Sequence, residues 1–216
     1  EFIRAGIPQE KLLPFGIPVA PAYAQETDRE EAVGKIEEEL PEGRKLKPGK
    51  IYLIVGGSMG AGNICGLVRE LDRQSDREDN ILVICGSNQQ IYDKLQKEYQ
   101  REGKVQILGW TDKMPLFLHA ADALFTKPGG LTSTEAATAG CPMVHIDPIP
   151  GCETANMSYF VRHGYSITAK TSEGQVAAGI RLAHDDSMRE RMRENQRRDF
   201  KGDTSQKILQ FIEKCR

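Results

Sequence analysis

From residue 51 onwards the chain alternates short apolar runs with segments of helical periodicity, and this alternation constrains the fold more than any other feature. Runs at 51–55, 81–85, 105–108, 123–126 and 143–146 read as strands. The run 51–55 is apolar throughout rather than at every second residue, as in a strand buried on both faces of a parallel sheet,. Between and after them, residues 63–71, 91–100, 114–120, 156–163 and 173–183 carry helical spacing,. Residues 165–168 read as a short edge strand, and 187–216 as two helices parted near Gly202. Strands alternating with helices require right-handed crossovers. The expected class is therefore α/β, a Rossmann-like doubly wound parallel sheet with C-terminal helices. Its ligands should bind at the carboxyl ends of the strands.

Before residue 51, residues 1–25 hold Pro8, Pro14, Pro18 and Pro21 and read as turns or an interdomain connection,. Residues 26–40 place Ala32, Val33, Ile36 and Leu40 at the spacing of a short amphipathic helix,. We divide the chain into 1–25, a linker or the end of a preceding domain; 26–185, a ligand-binding domain; and 186–216, C-terminal helices. The chain begins at Glu1 and not at a methionine, so an excised or processed piece is expected.

Three segments at expected strand ends carry polar or glycine-rich chemistry. Residues 127–140 read KPGGLTSTEAATAG. Gly129 and Gly130 let backbone approach a ligand. Thr132, Ser133 and Thr134 are expected to cap a helix whose positive end attracts anions. Gly130, Leu131 and Thr132 would hold phosphate, and Glu135 in the first turn could reach a ribose. Residues 56–62, GGSMGAG, follow the first strand and offer Gly57, Ser58, Met59 and Gly60 to phosphate, or simply turn the chain into a helix. They match neither a dinucleotide fingerprint nor a P-loop. Residues 147–156, DPIPGCETAN, end the fifth strand. Glu153 and Asn156 match the donors and acceptors of a sugar diol, although Asn156 could equally cap a helix.

A fourth loop, GWTD at 109–112, holds the single tryptophan, Trp110. Trp110 either stacks near a base or packs beneath its loop, and main-chain groups of Trp110 and Thr111 could read a uracil edge. The four histidines have no metal spacing and no DxD pair follows a strand, so no metal is expected. His145, near Asp147, is the histidine that most needs a structural account. Five cysteines without CxxC spacing argue against a disulfide framework or a zinc site,. A net charge of −2 gives no bulk attraction to nucleic acid,. No secretory leader is expected, and a reducing cytoplasm is the expected compartment. The tail's Arg189, Arg191, Arg193, Arg197 and Arg198 form either a solvated helix face or a contact for anionic lipid headgroups,.

Together, GGSMGAG, GWTDKM, KPGGLTSTEAATAG and DPIPGCETAN resemble the C-terminal half of a GT-B glycosyltransferase of family 28. The PIPG-x-E-x-x-N pattern is similar to the family's diacylglycerol glycosyltransferases, which include monogalactosyldiacylglycerol synthase, more than to its peptidoglycan enzyme. The resemblance implies one half of a GT-B fold, binding UDP-glucose or UDP-galactose without a cofactor. Glu135 would match the ribose-binding carboxylate, and Gly130, Leu131 and Thr132 the backbone at the diphosphate. Ser58 and Met59 would face the cleft between domains. Cys152 and Glu153 would match a hexose-contacting pair, with Asn156 beside them. The family commonly has glutamine where Cys152 stands, which leaves glucose or galactose open. A lipid acceptor such as diacylglycerol, and the general base, would belong to an N-terminal domain outside this chain. The expected location is then cytoplasmic, peripheral on the inner face of the membrane. The alternatives are a UDP-N-acetylglucosamine transferase, a UDP-sugar 2-epimerase, or a nucleotide-sugar-binding module without catalysis.

Overall fold

The computed structural model describes residues 2–41, 44–56, 63–99 and 103–215. Five strands, β1 (Ile51–Val55), β2 (Asn80–Ile84), β3 (Val105–Leu108), β4 (Ala123–Thr126) and β5 (Met143–His145), form one sheet in the order β3-β2-β1-β4-β5. Every pairing is parallel, with Leu53 opposite both Leu82 and Leu124. The order reverses direction between β1 and β4. That crevice is where a doubly wound sheet binds its ligand.

All strand residues are buried, which explains the uninterrupted apolar run of β1, and the other strands bury Asn80, Gln106, Thr126 and His145 among apolar residues. Alternate side chains serve opposite layers. Tyr52 and Ile54 of β1 join Val83 and Phe125 in a core covered by α2 (Ile64–Gln74), α3 (Gln89–Glu98) and α7 (Ser172–His184). Ile51, Leu53 and Val55 join Leu124 in a second core under α1 (Arg29–Glu39), α4 (Met114–Ala120) and α5 (Gly130–Thr138). Fully burying one such side chain contributes roughly 1.5–3 kcal/mol. The strand starts are fixed by a buried carboxylate: Asp122 accepts the Ile51 amide at 2.9 Å and the Arg29 guanidinium at 2.8 Å.

Some boundaries differ from the sequence reading. The helix α6 spans Cys152–Arg162 and so begins four residues before Asn156. Gly151 adopts φ +107°, a left-handed conformation that turns the chain directly into it,. The expected edge strand at 165–168 is reduced to one parallel bridge, Val144 to Ile167. Its polar side chains turn inward to β5 instead: Ser166 Oγ lies 3.0 Å from His145 Nδ1, and Thr168 Oγ1 donates to the His145 carbonyl at 2.7 Å.

In the tail, α8 (Asp186–Asp199) packs on α5 and α7 and buries Met192 and Gln196. Gln196 Nε2 donates to the Cys141 and Tyr165 carbonyls. After Gly202, α9 (Thr204–Lys214) buries none of its side chains. It meets the N-terminal segment, where Thr204 Oγ1 donates to the Phe15 carbonyl at 2.8 Å and the Phe15 and Phe211 rings lie 6.0 Å apart. No helix among the described residues is long and apolar enough to cross a membrane.

Candidate functional site

The β4–α5 turn lies beside the sheet's switch point. Gly129 is the N-cap residue of α5, and no side chain among the described residues caps the helix. The first intrahelical bond is donated by Ser133 to the Gly129 carbonyl at 3.1 Å. The amides of Gly130, Leu131 and Thr132 therefore have no acceptor among the described residues. Three unfilled donors at the positive end of a helix dipole are suited to an anion. Leu131 is 55% exposed, so this mouth opens to solvent.

The hydroxyls expected to cap α5 do other work, because they lie inside the helix and not before it. Thr134 Oγ1 donates back to the Gly130 carbonyl at 2.7 Å. Ser133 is buried, with its Oγ 3.0 Å from His145 Nε2. His145 is thus held between two serines, fully buried, and burial pushes its pKa down to about 4. It is a neutral structural pin between β5 and the start of α5.

Glu135 lies in the second turn of α5, not the first, since the helix starts at Gly130. It is half-buried, and burial raises its pKa, while the Tyr23 hydroxyl opposes that by favouring the carboxylate. Lys127, directly after β4, is only 7% exposed, yet no acceptor among the described residues lies within bonding distance of its ammonium.

The β5–α6 loop closes on the same turn. Asn156 Nδ2 donates to the Pro128 carbonyl at 3.0 Å, so α6 grips the glycine turn from the side. Glu153 Oε2 accepts the Ile149 amide at 2.7 Å, which leaves its other oxygen without a partner among the described residues. Cys152 is exposed at the first position of α6. Asp147, before Pro148, takes φ +28°. Positive φ is uncommon outside glycine, and aspartate is among the residue types that adopt it most readily.

Trp110 stands 75% exposed past the end of β3 and does not pack beneath its loop. β2 separates β3 from β1, so the strand that Trp110 follows is two spacings, roughly 10 Å, from β1,. Thr111 Oγ1 accepts the Lys113 amide at 3.0 Å. Gly57, Ser58, Met59 and Gly60 lie outside the described residues. The structure thus joins Asn156 of α6, the helix that Cys152 and Glu153 begin, to the turn that opens α5, where Gly129–Thr132 lie with Glu135 one turn beyond, and it places Trp110 and Thr111 after β3, two strands from β1. Sequence reasoning did not assign roles to Lys127 or Tyr23. Lys127 could have been flagged as the first letter of its motif, whereas Tyr23 comes from a distant proline-rich segment with no local signal.

Among the described residues, one cluster of potential metal ligands, Asp76, Asp79 and His184, has ligand atoms within 4.8 Å of one another. Asp79 immediately precedes β2, so this cluster is at the amino-terminal edge of the sheet, opposite the site. Its buried carboxylate already accepts the Lys50 and Asp76 amides.

The family model for "Glycosyl transferases group 1" matches residues 36–199, which include the whole sheet and its site. The chain belongs to this family. A processive diacylglycerol beta-glucosyltransferase of Staphylococcus saprophyticus is 32% identical over 183 residues, covering 82% of this chain and 44% of that protein. An enzyme of the same description from Bacillus subtilis is 28% identical over 200 residues, covering 91% of this chain and 50% of that protein. The chain spans about half the length of the curated relatives it matches. Among solved structures, MurG of Acinetobacter baumannii superposes with TM-score 0.67 at 24% identity, over 96% of this chain and 58% of MurG. Anabaena HepE in complex with UDP gives 0.67 at 18% identity, over 99% of this chain and 60% of HepE. These likenesses agree with the expected sheet and with the resemblance to GT-B glycosyltransferases.

Proposed function

We propose that this chain is the donor-binding half of an inverting, metal-independent hexosyltransferase. It would move a hexose from a UDP-sugar to a lipid acceptor such as diacylglycerol. The observation that carries the reading is the mouth of α5 at the switch point, where three amides have no acceptor among the described residues, with Glu135 one turn beyond. The amides of Gly130, Leu131 and Thr132 bind the diphosphate, and Glu135 accepts the ribose hydroxyls. The unused oxygen of Glu153 and the exposed Cys152 face the hexose, and the backbone at Trp110 and Thr111 meets the uracil. Both relatives named above are glucosyltransferases, which favours glucose over galactose and diacylglycerol as acceptor. A UDP-N-acetylglucosamine transferase or a 2-epimerase would share the fold, but those relatives support neither. The lipid acceptor would bring the protein to the cytoplasmic membrane surface, where the exposed Arg191, Arg197 and Arg198 of α8 could meet anionic headgroups, whereas Arg189 is buried against the Leu182 and Ala183 carbonyls,.

In this mechanism an acceptor hydroxyl attacks the anomeric carbon, its proton leaving to a base outside this chain. The glycosidic C–O bond to UDP breaks, and the bond pair stays on the β-phosphate. The helix mouth stabilises that growing charge with donors already in place; losing one such donor costs roughly 2.7–4 kcal/mol. No cofactor takes part. Isothermal calorimetry tests the donor assignment: UDP should bind better than ADP or inorganic phosphate. Equal affinities for the three would remove it. Transfer of labelled glucose to diacylglycerol vesicles by the full-length protein tests the activity.

A further inference from the structure

The two glycines that open α5 differ in what stands beside them. Gly129 takes φ −68° and ψ 142°, which any residue adopts, and Gly130 is the first helical residue,. Neither has the positive φ that demands glycine, so what each gains from lacking a side chain is space,. Around the position of a Cβ on Gly129, no atom among the described residues lies within 4 Å. At Gly130 that space is taken: the Ile17 Cδ1 lies 3.1 Å from where a Cβ would sit, inside ordinary carbon–carbon contact,. The sequence reading gave both glycines to an approaching ligand; the structure gives this side of Gly130 to the segment ahead of α1. That segment is fastened on both sides of Ile17. Before it, the Phe15 carbonyl accepts Thr204 Oγ1 of α9 at 2.8 Å, and the Phe15 and Phe211 rings lie 6.0 Å apart. After it, the short 3-10 turn Pro21–Tyr23 packs against α5, and Ala24 abuts Gly202, where an added Cβ would come within 2.7 Å of the Ala24 Cβ.

We propose that Ile17 is a positioning residue for donor binding: packed on the backbone of Gly130, it holds the first turn of α5 so that the Gly130, Leu131 and Thr132 amides are in place for the diphosphate. The proposal rests on the reading of those amides as the diphosphate site. The first turn of a helix frays readily, because its amides have no partner within the helix. A capping side chain is the usual restraint, and none among the described residues caps α5,. The Ile17 contact stands in its place on one side of the mouth. On the other, Asn156 holds the turn before Gly129 through the Pro128 carbonyl. Ile17 acts on the donor only through the α5 backbone. Because the segment ahead of α1 carries it, a displacement of that segment loosens the mouth, and donor binding is coupled to where the segment lies.

Calorimetry with UDP and UMP on the 216-residue chain tests this, for wild type, Ile17→Ala, Gly130→Ala, and Gly130→Ala combined with Ile17→Val. Ile17 is 42% exposed, so neither substitution there opens the core. Ile17→Ala takes the packing away. Gly130→Ala sets a methyl against the Ile17 Cδ1, so that either the segment or the first turn must shift. Each should weaken UDP roughly 3- to 10-fold, less than the loss of one hydrogen bond to a charged group, and narrow the preference for UDP over UMP. Ile17→Val removes the Cδ1 atom alone. In the Gly130→Ala background it should bring UDP affinity and the UDP preference back to within about twofold of wild type, the coupling expected of two residues in contact. A purely structural contact would move the urea midpoint and leave the UDP preference where it was. If Ile17→Ala leaves UDP binding unchanged, or Gly130→Ala weakens it equally with and without Ile17→Val, the positioning role fails alone. If the wild-type chain does not prefer UDP to UMP, the diphosphate reading fails and takes this inference with it.

Discussion

The Asn156 carboxamide donates to the Pro128 carbonyl at 3.0 Å, which ties the first turns of α6 to the glycine turn that opens α5. A residue read from sequence as a sugar contact or a helix cap is therefore also a tether between the two loops of the site. The tether matters because the α5 amides are useful to an anion only while the turn before them is fixed.

Asn156→Ala should lower stability by about 1 kcal/mol, the net value of one hydrogen bond. It should weaken UDP as well as UDP-glucose, since the loosened turn holds the diphosphate. Urea unfolding and calorimetry with both ligands check this. A loss confined to UDP-glucose would mean that Asn156 acts on the sugar alone and that the tether is idle.

His145 gives the fold an acid sensitivity with a defined window. Its pKa is about 4 in the folded protein against 6.5 unfolded, because burial between Ser133 and Ser166 disfavours the imidazolium. Below pH 6.5 the unfolded chain takes up a proton that the folded one refuses. The stability is fully present above pH 6.5 and is lost as pH falls towards 4, by roughly 3 kcal/mol in total,. In His145→Asn this part of the slope should disappear from urea midpoints measured between pH 7 and pH 4. An unchanged slope would assign the acid lability to the carboxylates instead.

The strands were legible because a parallel sheet covered on both faces needs uninterrupted apolar runs, and Ile51–Val55 is such a run,. The start of α6 was not, because Pro148, Pro150 and Gly151 read as a loop continuing to Asn156. A single left-handed glycine ends that loop early and brings Cys152 and Glu153 into the helix. At α5, hydroxyl residues near a helix start normally signal caps, yet here Gly129 occupies the cap position, and Ser133 and Thr134 are drawn to His145 and the Gly130 carbonyl. The packing of Pro21–Tyr23 on α5 joins segments far apart in sequence, and neither composition nor periodicity registers such a pair.

Lys127 should separate stability from binding. The residue is 7% exposed and its ammonium has no counter-charge among the described residues, so removing the charge breaks no ion pair there. Lys127→Met keeps the unbranched stem and removes the charge. It should leave the urea midpoint nearly unchanged while weakening UDP about 10-fold, the loss of one charged partner of the diphosphate. Thermal melts with and without UDP read both effects, and a variant that is less stable but binds UDP normally would make Lys127 a structural residue.

Gly179 on α7 marks how closely the helix layer sits on β4. A Cβ added there would fall well inside contact with the Phe125 ring, which is fully buried in the centre of the sheet. The ring has no free direction to move, since Tyr52 of the neighbouring strand packs at 6.5 Å between centroids and α7 covers it. Gly179→Ala gains helix propensity, up to about 1 kcal/mol, but must push α7 off the sheet. Overpacking of this kind costs roughly 1–3 kcal/mol and should win. Because Phe125 is one residue before Thr126 and two before Lys127, the displacement would reach the end of β4, where the candidate site begins. Gly179→Ala should therefore lower both the urea midpoint and UDP affinity, whereas Gly34→Ala, on α1 with open space around it, should lower neither.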